Sequence, residues 1–118
     1  MLEIIFYKTI TGECPVEEFL DGLTSKQSQK VTWVLSLLEE LPTIPSKHFK
    51  KLVNTDDIWE VRVTFGGDTF RLLDFFNNTS LVVLCHAFQK KTQKTPRQAI
   101  RTAEKRKKDY LKRRDSDE

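Results

Sequence analysis

The stretch of sequence that decides the fold spans residues 59–88 and reads WEVRVTFGGDTFRLLDFFNNTSLVVLCHAF. Runs rich in β-branched and aromatic residues are separated there by Gly66-Gly67 and by Asn77-Asn78. Glycine and asparagine tolerate the positive φ angles of tight hairpin turns. The pattern therefore predicts three consecutive antiparallel strands, at residues 58–65, 68–76 and 79–88.

The first of these turns predicts which side chains face each other. A two-residue loop at Gly66-Gly67 places Arg62 directly opposite Arg71 and pairs apolar residues on the other side of the sheet. A three-residue loop would place Val63 opposite Arg71 and mix polar with apolar residues on one face. We therefore expect the two arginines to share a face.

The second turn extends the register to the last strand. A two-residue loop at Asn77-Asn78 places Leu84 opposite Arg71 and His86 opposite Thr69. The face predicted to stay open carries Arg62, Thr64, Thr69, Arg71 and His86. The face predicted to lie beneath helices carries Trp59, Val61, Val63, Phe70, Leu72, Val83 and Cys85.

Two helical patterns precede this sheet. After a short strand at residues 3–8, apolar residues at helical spacing follow Pro15, which suits a first helical turn. A longer pattern begins at Ser25, a residue type that caps helices, and ends at Pro42 and Pro45. Its apolar positions are Val31, Val34, Leu35, Leu38 and Leu41.

The elements together predict an α+β fold, with two N-terminal helices packed on a small antiparallel sheet and a C-terminal helix. Residues 46–57 read as an irregular connection, and residues 96–113 as the final helix. We expect a single domain at residues 1–113 and a frayed tail at residues 114–118.

The composition bears on the class of the protein and on its cellular location. Hydrophobic residues make up 38% of the 118 residues and charged residues 31%, which is ordinary for a globular domain. No apolar run is long enough to cross a bilayer, and the N-terminus lacks the pattern of a signal peptide, so we predict the cytoplasm and no membrane partner. Cys14 and Cys85 read as two unrelated free thiols.

Charge is distributed unevenly along the chain. Residues 1–88 contain 8 basic and 12 acidic side chains, whereas residues 89–118 contain 12 basic and 5 acidic ones. A basic end joined to an acidic body is typical of a protein with a polyanionic partner, most often nucleic acid, and also of a well-solvated terminal helix.

The predicted pairing of Arg62 with Arg71 needs an offsetting charge. Like charges directly opposite each other destabilise a sheet by roughly 0.2–1 kcal/mol. Glu60 on the same face would make the pair a structural ion-pair network. A bound phosphate would use the same guanidinium groups for recognition. His86 adds a group that can titrate near neutrality.

Other kinds of site are disfavoured by the spacing of the residues. Cys14, His48, Cys85 and His86 show no metal-ligand spacing, so we predict neither a metal nor another cofactor. The chain has no P-loop, dinucleotide fingerprint or nucleophile elbow. Metal-free cleavage of RNA remains, in which a 2′-OH attacks the adjacent phosphate. Basic side chains can supply the base, the acid and the charge stabilisation that this step needs.

Four strings carry a family resemblance: residues 59–62 (WEVR), 70–75 (FRLLDF), 84–96 (LCHAFQKKTQKTP) and 98–106 (QAIRTAEKR). They resemble the HigB branch of the RelE/ParE toxin superfamily, including its phage-derived relatives. The resemblance runs from the first strand to Tyr110, and its most specific part is the KKTxKTP string. It implies a RelE-like arrangement, with two N-terminal helices packed on a curved antiparallel sheet.

The resemblance also implies an activity and partners. It implies the toxin of a type II toxin–antitoxin system, an endoribonuclease that cuts mRNA in the ribosomal A site and so inhibits translation. A HigA-like helix-turn-helix antitoxin would neutralise it.

Site residues follow from the same strings and from the basic connection before them. Arg62 and Arg71 are candidates for phosphate stabilisation, and His86, Lys90 and Lys91 for acid–base chemistry or RNA positioning. RNA or ribosome contacts are predicted for Lys47, Lys50, Lys51, Lys91, Lys94 and Arg97. We expect Arg71→Ala, on an exposed sheet face, to abolish toxicity at little cost in stability.

The chain departs from the family pattern at two positions, with Phe70 where relatives often have tyrosine and Ala87 where they often have glycine. A base that relatives stack on tyrosine would here need Phe88, His86 or Tyr110. Two alternatives stay open at this point. One is a ParE-like inhibitor of DNA gyrase, and the other is a non-catalytic RNA- or ribosome-binding module.

Overall fold

The computed structural model describes residues 2–41, 47–90 and 94–116, which form three helices and one five-stranded sheet. The elements are β1 (Glu3–Phe6), α1 (Pro15–Asp21), α2 (Ser25–Glu40), β2 (Phe49–Lys51), β3 (Trp59–Phe65), β4 (Asp68–Phe76), β5 (Leu81–Gln89) and α3 (Arg97–Ser116). The strands lie in the order β1-β5-β4-β3-β2. The predicted α+β class is confirmed, with two helices before the central strands and one after them.

The sheet is mixed, so the prediction of a purely antiparallel sheet is wrong. β1 pairs with β5 in parallel, whereas β2 to β5 pair as antiparallel neighbours. The chain reaches β5 from β1 only after passing through both helices and three strands. No hairpin therefore sets the direction of β1, and the sequence gives no turn signal for it.

A short edge strand, β2, lies inside the connection that was predicted to be irregular. Phe49 is buried there, and its ring stacks on that of Trp59 with centroids 4.8 Å apart. Burial of the aromatic ring fixes this strand against β3. Three residues are too few for an alternation pattern to reveal a strand in the sequence.

The first hairpin matches its prediction. Gly66 and Gly67 have φ values of 58° and 88°. Two successive positive φ values are the geometry of a type I′ turn, whose twist matches that of the paired strands. Arg62 consequently lies directly opposite Arg71, as predicted.

The second hairpin has a longer loop than the predicted Asn77-Asn78 turn. The side chain of Asn78 accepts hydrogen bonds from two backbone N–H groups, at 2.8 and 2.9 Å, and β5 begins only at Leu81. The longer loop shifts the register of β5 against β4. Phe88 therefore faces Arg71, and the predicted pairing of Arg71 with Leu84 is wrong.

A second irregularity lies within β5. His86 faces Leu73 rather than Thr69, and Cys85 has no directly opposite residue because the register shifts at this point. The longer loop after β4 already turns Val83 and Cys85 toward α3, and the shift returns His86 to the face of Arg71. Their predicted place beneath α1 and α2 is therefore wrong, whereas His86 keeps its predicted face.

Each face of the sheet has its own core. The face beneath α1 and α2 buries Val61, Val63, Phe70 and Leu72, as predicted, with Phe49 and Leu84. The opposite face buries Leu73, Phe75, Val83 and Cys85 against Ala99 and Ala103 of α3. The face predicted to be open is thus covered by α3 at one end and remains accessible at the end that carries Arg62.

The helix ends differ slightly from the predictions. Thr24, not Ser25, caps α2, because its hydroxyl accepts from Gln27 N while the Gln27 side chain accepts from Thr24 N. Pro42 and Pro45, predicted to end this helix, lie outside the described residues. α3 continues to Ser116, three residues beyond its predicted end.

None of the helices in the described part of the chain combines the length and apolar composition that a membrane crossing requires.

Candidate functional site

Three of the strings that carry the resemblance meet at one buried ion pair. Arg71 Nη1 of β4 donates to both carboxylate oxygens of Glu60 of β3, at 3.0 and 3.1 Å. Thr95, just before α3, donates to Glu60 Oε2 at 2.6 Å and lies 3.0 Å from Arg71 Nη1. Glu60 is 1% exposed and Arg71 is 3% exposed. Arg71 is therefore buried, and the expectation that it lies on an exposed face is wrong.

Arg62 is the accessible member of the arginine pair. Its Nη2 atom lies 3.5 Å from Glu60 Oε1, and its side chain is 32% exposed. Two guanidinium groups therefore share one carboxylate, which leaves this part of the site with excess positive charge. Glu60 fills the role of the offsetting acid, and Arg62 keeps a surface to which an anion can bind.

Two lysines extend the positive charge around this pair. Lys50 of β2 lies directly opposite Glu60 of β3 in the strand register, so its exposed side chain is on the same face of the sheet. The backbone N–H of Lys90 donates to Thr69 O at 2.7 Å at the end of β5. Partial burial and the nearby charges of Arg71 and Arg62 lower the pKa of Lys90. A lysine of this kind is a stronger proton donor than a fully solvated one.

His86 is held as a neutral side chain on the same face. Burial and the charge of Arg106 lower the pKa of His86 to about 4. Arg106 Nη1 lies 3.3 Å from His86 Nδ1 and donates to Cys85 O at 2.8 Å. A guanidinium can only donate, so Nδ1 accepts and Nε2 carries the proton. His86 thus offers an N–H donor, and its ring stacks on Phe88 with centroids 5.7 Å apart.

Most of the chain matches the model of a known protein family. Residues 18–108 match the family model described as "Phage derived protein Gp49-like (DUF891)". The chain belongs to the Gp49-like family. This phage-derived family is part of the RelE/HigB-like toxins, so the chain is a toxin-like protein, and such a protein implies an antitoxin partner. A search of curated proteins finds no match.

The remaining predicted RNA contacts of this Gp49-like protein lie in different places. Lys51 faces away from the basic group, opposite Trp59, and pairs with Asp57 at 2.7 Å. Lys47 lies in an exposed turn. Lys94 and Arg97 are exposed and line a cavity of about 600 Å³ beside Thr95. Lys91 lies outside the described residues.

The structure brings Arg62, Arg71, Lys50 and Lys90 together and leaves His86 further along the same face. Sequence reasoning missed two participants, Thr95 and Arg106. Thr95 stood within the KTP string, which was the most specific part of the resemblance, although nothing in the pattern said that its hydroxyl joins an ion pair. Arg106 looked like any cation of a basic helix, and only the packing of α3 shows that it reaches His86.

Asp74 is a buried acid on the other face of the sheet, beneath α1 and α2, because it pairs with Trp59 and Leu84. Its side chain is fully buried, and neither carboxylate oxygen has a hydrogen-bond partner within the described residues. Burial, reinforced by the charge of Glu60, raises the pKa of Asp74 well above its usual range. Across residues 2–41, 47–90 and 94–116, no group of three histidine, cysteine or acidic side chains is arranged to hold a metal ion.

Proposed function

We propose that this Gp49-like protein is the toxin of a type II toxin–antitoxin pair and that it cleaves mRNA in the ribosomal A site without a metal cofactor. Assignment to the HigB branch and a RelE-like arrangement of helices on the sheet belong to the same proposal. Its neutralising partner is a HigA-like helix-turn-helix antitoxin, and its site of action is the cytoplasm.

The group of cations at the uncovered end of the sheet carries this proposal. Glu60 is the acid that pairs with both arginines, and four cations lie around it: Arg62, Arg71, Lys50 and Lys90. A phosphodiester brings one negative charge to such a site, and further negative charge develops on its oxygens during cleavage. Fixed cations that surround the phosphate lower the energy of that transition state.

The chemistry is transesterification. The 2′-oxygen loses its proton to a water molecule and bonds to the adjacent phosphorus, the bond from phosphorus to the 5′-oxygen breaks, and the 5′-oxygen takes up a proton. The products are a 2′,3′-cyclic phosphate and a 5′-hydroxyl end. Arg62 contacts the phosphate oxygens. Lys90 protonates the leaving 5′-oxygen, because its lowered pKa makes it a stronger acid than a fully solvated lysine.

Arg71 and His86 act in a different way in this scheme. Arg71 is a positioning residue, because its guanidinium is buried and holds Glu60 and Thr95 in place. His86 and Phe88 present stacked rings on the same face, which can pack against an unstacked base of the mRNA.

Mapping of mRNA ends in cells tests the proposal. The wild-type protein, Lys90→Gln and Lys26→Gln are induced separately, and new 5′ ends are located by primer extension. Lys26 is exposed on α2 and serves as the control for loss of one positive charge. We expect new ends within codons for the wild type and for Lys26→Gln, and at least a tenfold reduction for Lys90→Gln, since general acid catalysis typically contributes about 10²–10⁴-fold.

Two results would replace the proposal by another. DNA breaks with intact mRNA would identify a ParE-like gyrase poison. Association with ribosomes or RNA without new 5′ ends would identify a non-catalytic binding module.

A further inference from the structure

Helix α3 carries far more positive charge than its packing uses. Four of its nine cations bond within the fold: Arg106 to Cys85 O, Lys107 to Asp56 O, Arg113 to Asp109, and Arg114 to Asn77 and Asp115. The other five are Arg97, Arg101, Lys105, Lys108 and Lys112, and all of them are exposed. We call these five residues the α3 ridge.

The ridge is a continuous line on one side of the helix. Its members follow one another at intervals of four, four, three and four residues. At 3.6 residues per turn they fall within an arc of about 80°, and the line extends over roughly 22 Å. This arc lies opposite Ala99 and Ala103, which are buried against the sheet. The ridge therefore faces outward over most of the helix length.

The acids of α3 do not balance the ridge. Glu104 is turned toward the fold, where its carboxylate accepts from Asp56 N at 2.9 Å. Asp109 accepts from Tyr7 Oη at 2.6 Å and from Arg113. An ordinary solvated helix face mixes both signs, often as pairs three or four residues apart. Glu104 and Asp109 lie at the two edges of the ridge, and both also bond to the fold, so between Arg97 and Lys112 two acids face five ridge cations.

The ridge also begins beside the proposed cleavage site. Arg97 is two residues from Thr95, whose hydroxyl bonds to Glu60. Further along, Arg101 and Lys105 line a groove of about 540 Å³ between α3 and the segment that follows β1. A nucleic-acid strand held at the ion-pair site can therefore continue along α3 over cations and beside a concave surface.

We propose that the α3 ridge binds the phosphate backbone of RNA outside the linkage that is cut. This inference rests on the proposed function, because it extends the RNA path from the site around Arg62. Arginine and lysine contacts to phosphates release condensed counterions, so each contact adds to the salt dependence of binding. The contacts carry no base preference, so they add affinity without selecting the sequence of the RNA.

The test measures binding of an RNA that cannot react. A fluorescent 20-nucleotide single strand with 2′-O-methyl groups throughout is titrated with the full-length protein at several NaCl concentrations, with anisotropy as the readout. Lys105→Gln/Lys108→Gln removes two ridge charges. Lys26→Gln/Lys30→Gln removes two lysines from α2, on the other side of the sheet, and is the matched control. Thermal unfolding by circular dichroism verifies that both variants fold.

We expect the wild type to bind with a linear dependence of log K on log salt. The slope falls by about 1.4 in the ridge variant, from about 0.7 for each lost contact to a single strand, and is unchanged in the control. Equal slopes for the wild type and the ridge variant, an equal loss in the control, or no binding by the wild type would each overturn the inference. Since no cleavage is measured, binding through the ridge by a protein that fails to cut mRNA would refute the proposed function alone.

Discussion

Arg71 shows at the scale of one residue how burial changes the meaning of a mutation. Its guanidinium is 3% exposed and bonds to Glu60 and Thr95. Arg71→Ala leaves the Glu60 carboxylate buried without this partner, a change that typically costs about 3–5 kcal/mol. We expect a loss of this size in the free energy of unfolding from urea denaturation, rather than the small loss that an exposed position would give.

The matched control for Arg71 is its neighbour across the hairpin. Arg62→Ala removes a longer and partly exposed contact to the same carboxylate, so we expect a loss below about 1 kcal/mol. Equal losses in the two variants would show that the burial of Arg71 is not what stabilises the pair. Toxicity lost in Arg71→Ala must accordingly be compared with that in Arg62→Ala before it is attributed to chemistry.

His86 is expected to titrate far below an ordinary histidine. Burial and Arg106 lower its pKa to about 4, from 6.5 in a solvated side chain. The unfolded chain therefore binds a proton at higher pH than the folded protein does, and this group reduces stability as pH falls from about 6.5 to about 4. Titration of the His86 ring followed by NMR should give a midpoint near 4.

The arginine partner provides a control for this titration. Arg106→Gln removes the nearby positive charge, and we expect the midpoint of His86 to rise. A midpoint near 6.5 in the wild type would contradict the burial of this ring and its contact with Arg106.

Asp74 is expected to reduce stability at neutral pH. Its pKa is raised by burial and by Glu60, so the folded protein holds a proton that the unfolded chain releases near pH 4. The stability that goes with this proton is complete below the unfolded pKa and declines as pH rises toward the folded pKa. Asp74→Asn should therefore raise the free energy of unfolding at pH 7 and change it much less near pH 4. An equal effect at both pH values would show that charge is not the cause.

At the scale of secondary-structure elements, the loop between β4 and β5 sets the register of the site. Asn78 Oδ1 accepts from Ser80 N, Ser80 Oγ and Leu81 N. A hydrogen bond of this kind typically contributes about 0.5–1.5 kcal/mol to stability. These three bonds are exposed, so water can replace them in part after the substitution. We expect Asn78→Ala to lower the free energy of unfolding by about 1 kcal/mol. Thr79→Ala, exposed in the same loop, should change it by less than about 0.5 kcal/mol.

The two hairpin loops show why some elements could be predicted from the sequence and others could not. Gly66-Gly67 has one favoured hairpin geometry, so the pairing of Arg62 with Arg71 follows from local chemistry. Asn77-Asn78 has no such single geometry, because the Asn78 side chain closes a longer loop. Helices α1 and α2 were predictable from apolar spacing, whereas the parallel placement of β1 depends on contacts distant in sequence.

The site follows the same rule. Opposed arginines, and Glu60 as one of the two possible ways to offset them, could be derived from alternation along the strands. The burial of Arg71 could not, because it depends on Thr95, 24 residues away in the chain. The neutral state of His86 likewise depends on Arg106, which reaches it only after α3 has docked. Interactions between segments that are distant in the chain were therefore the ones that sequence patterns left out.

Across the molecule, helices cover the two faces of the sheet to different extents. α1 and α2 seal one face with apolar side chains, and α3 seals only part of the other. The uncovered part gathers Arg62, Lys50 and Lys90 around the buried Glu60–Arg71 pair. The net charge of +3 for the chain thus conceals one basic surface that continues from the sheet onto α3.

We propose that these cations promote attack by a 2′-OH on the neighbouring phosphate. The most direct test of this proposal uses ribosomes programmed with an mRNA that carries a single 2′-deoxy nucleotide at the mapped cleavage position, beside the unmodified mRNA. We expect the unmodified mRNA to yield a 2′,3′-cyclic phosphate and a 5′-hydroxyl end, and the modified linkage to stay intact. Cleavage of the 2′-deoxy linkage at an undiminished rate would contradict attack by the 2′-OH.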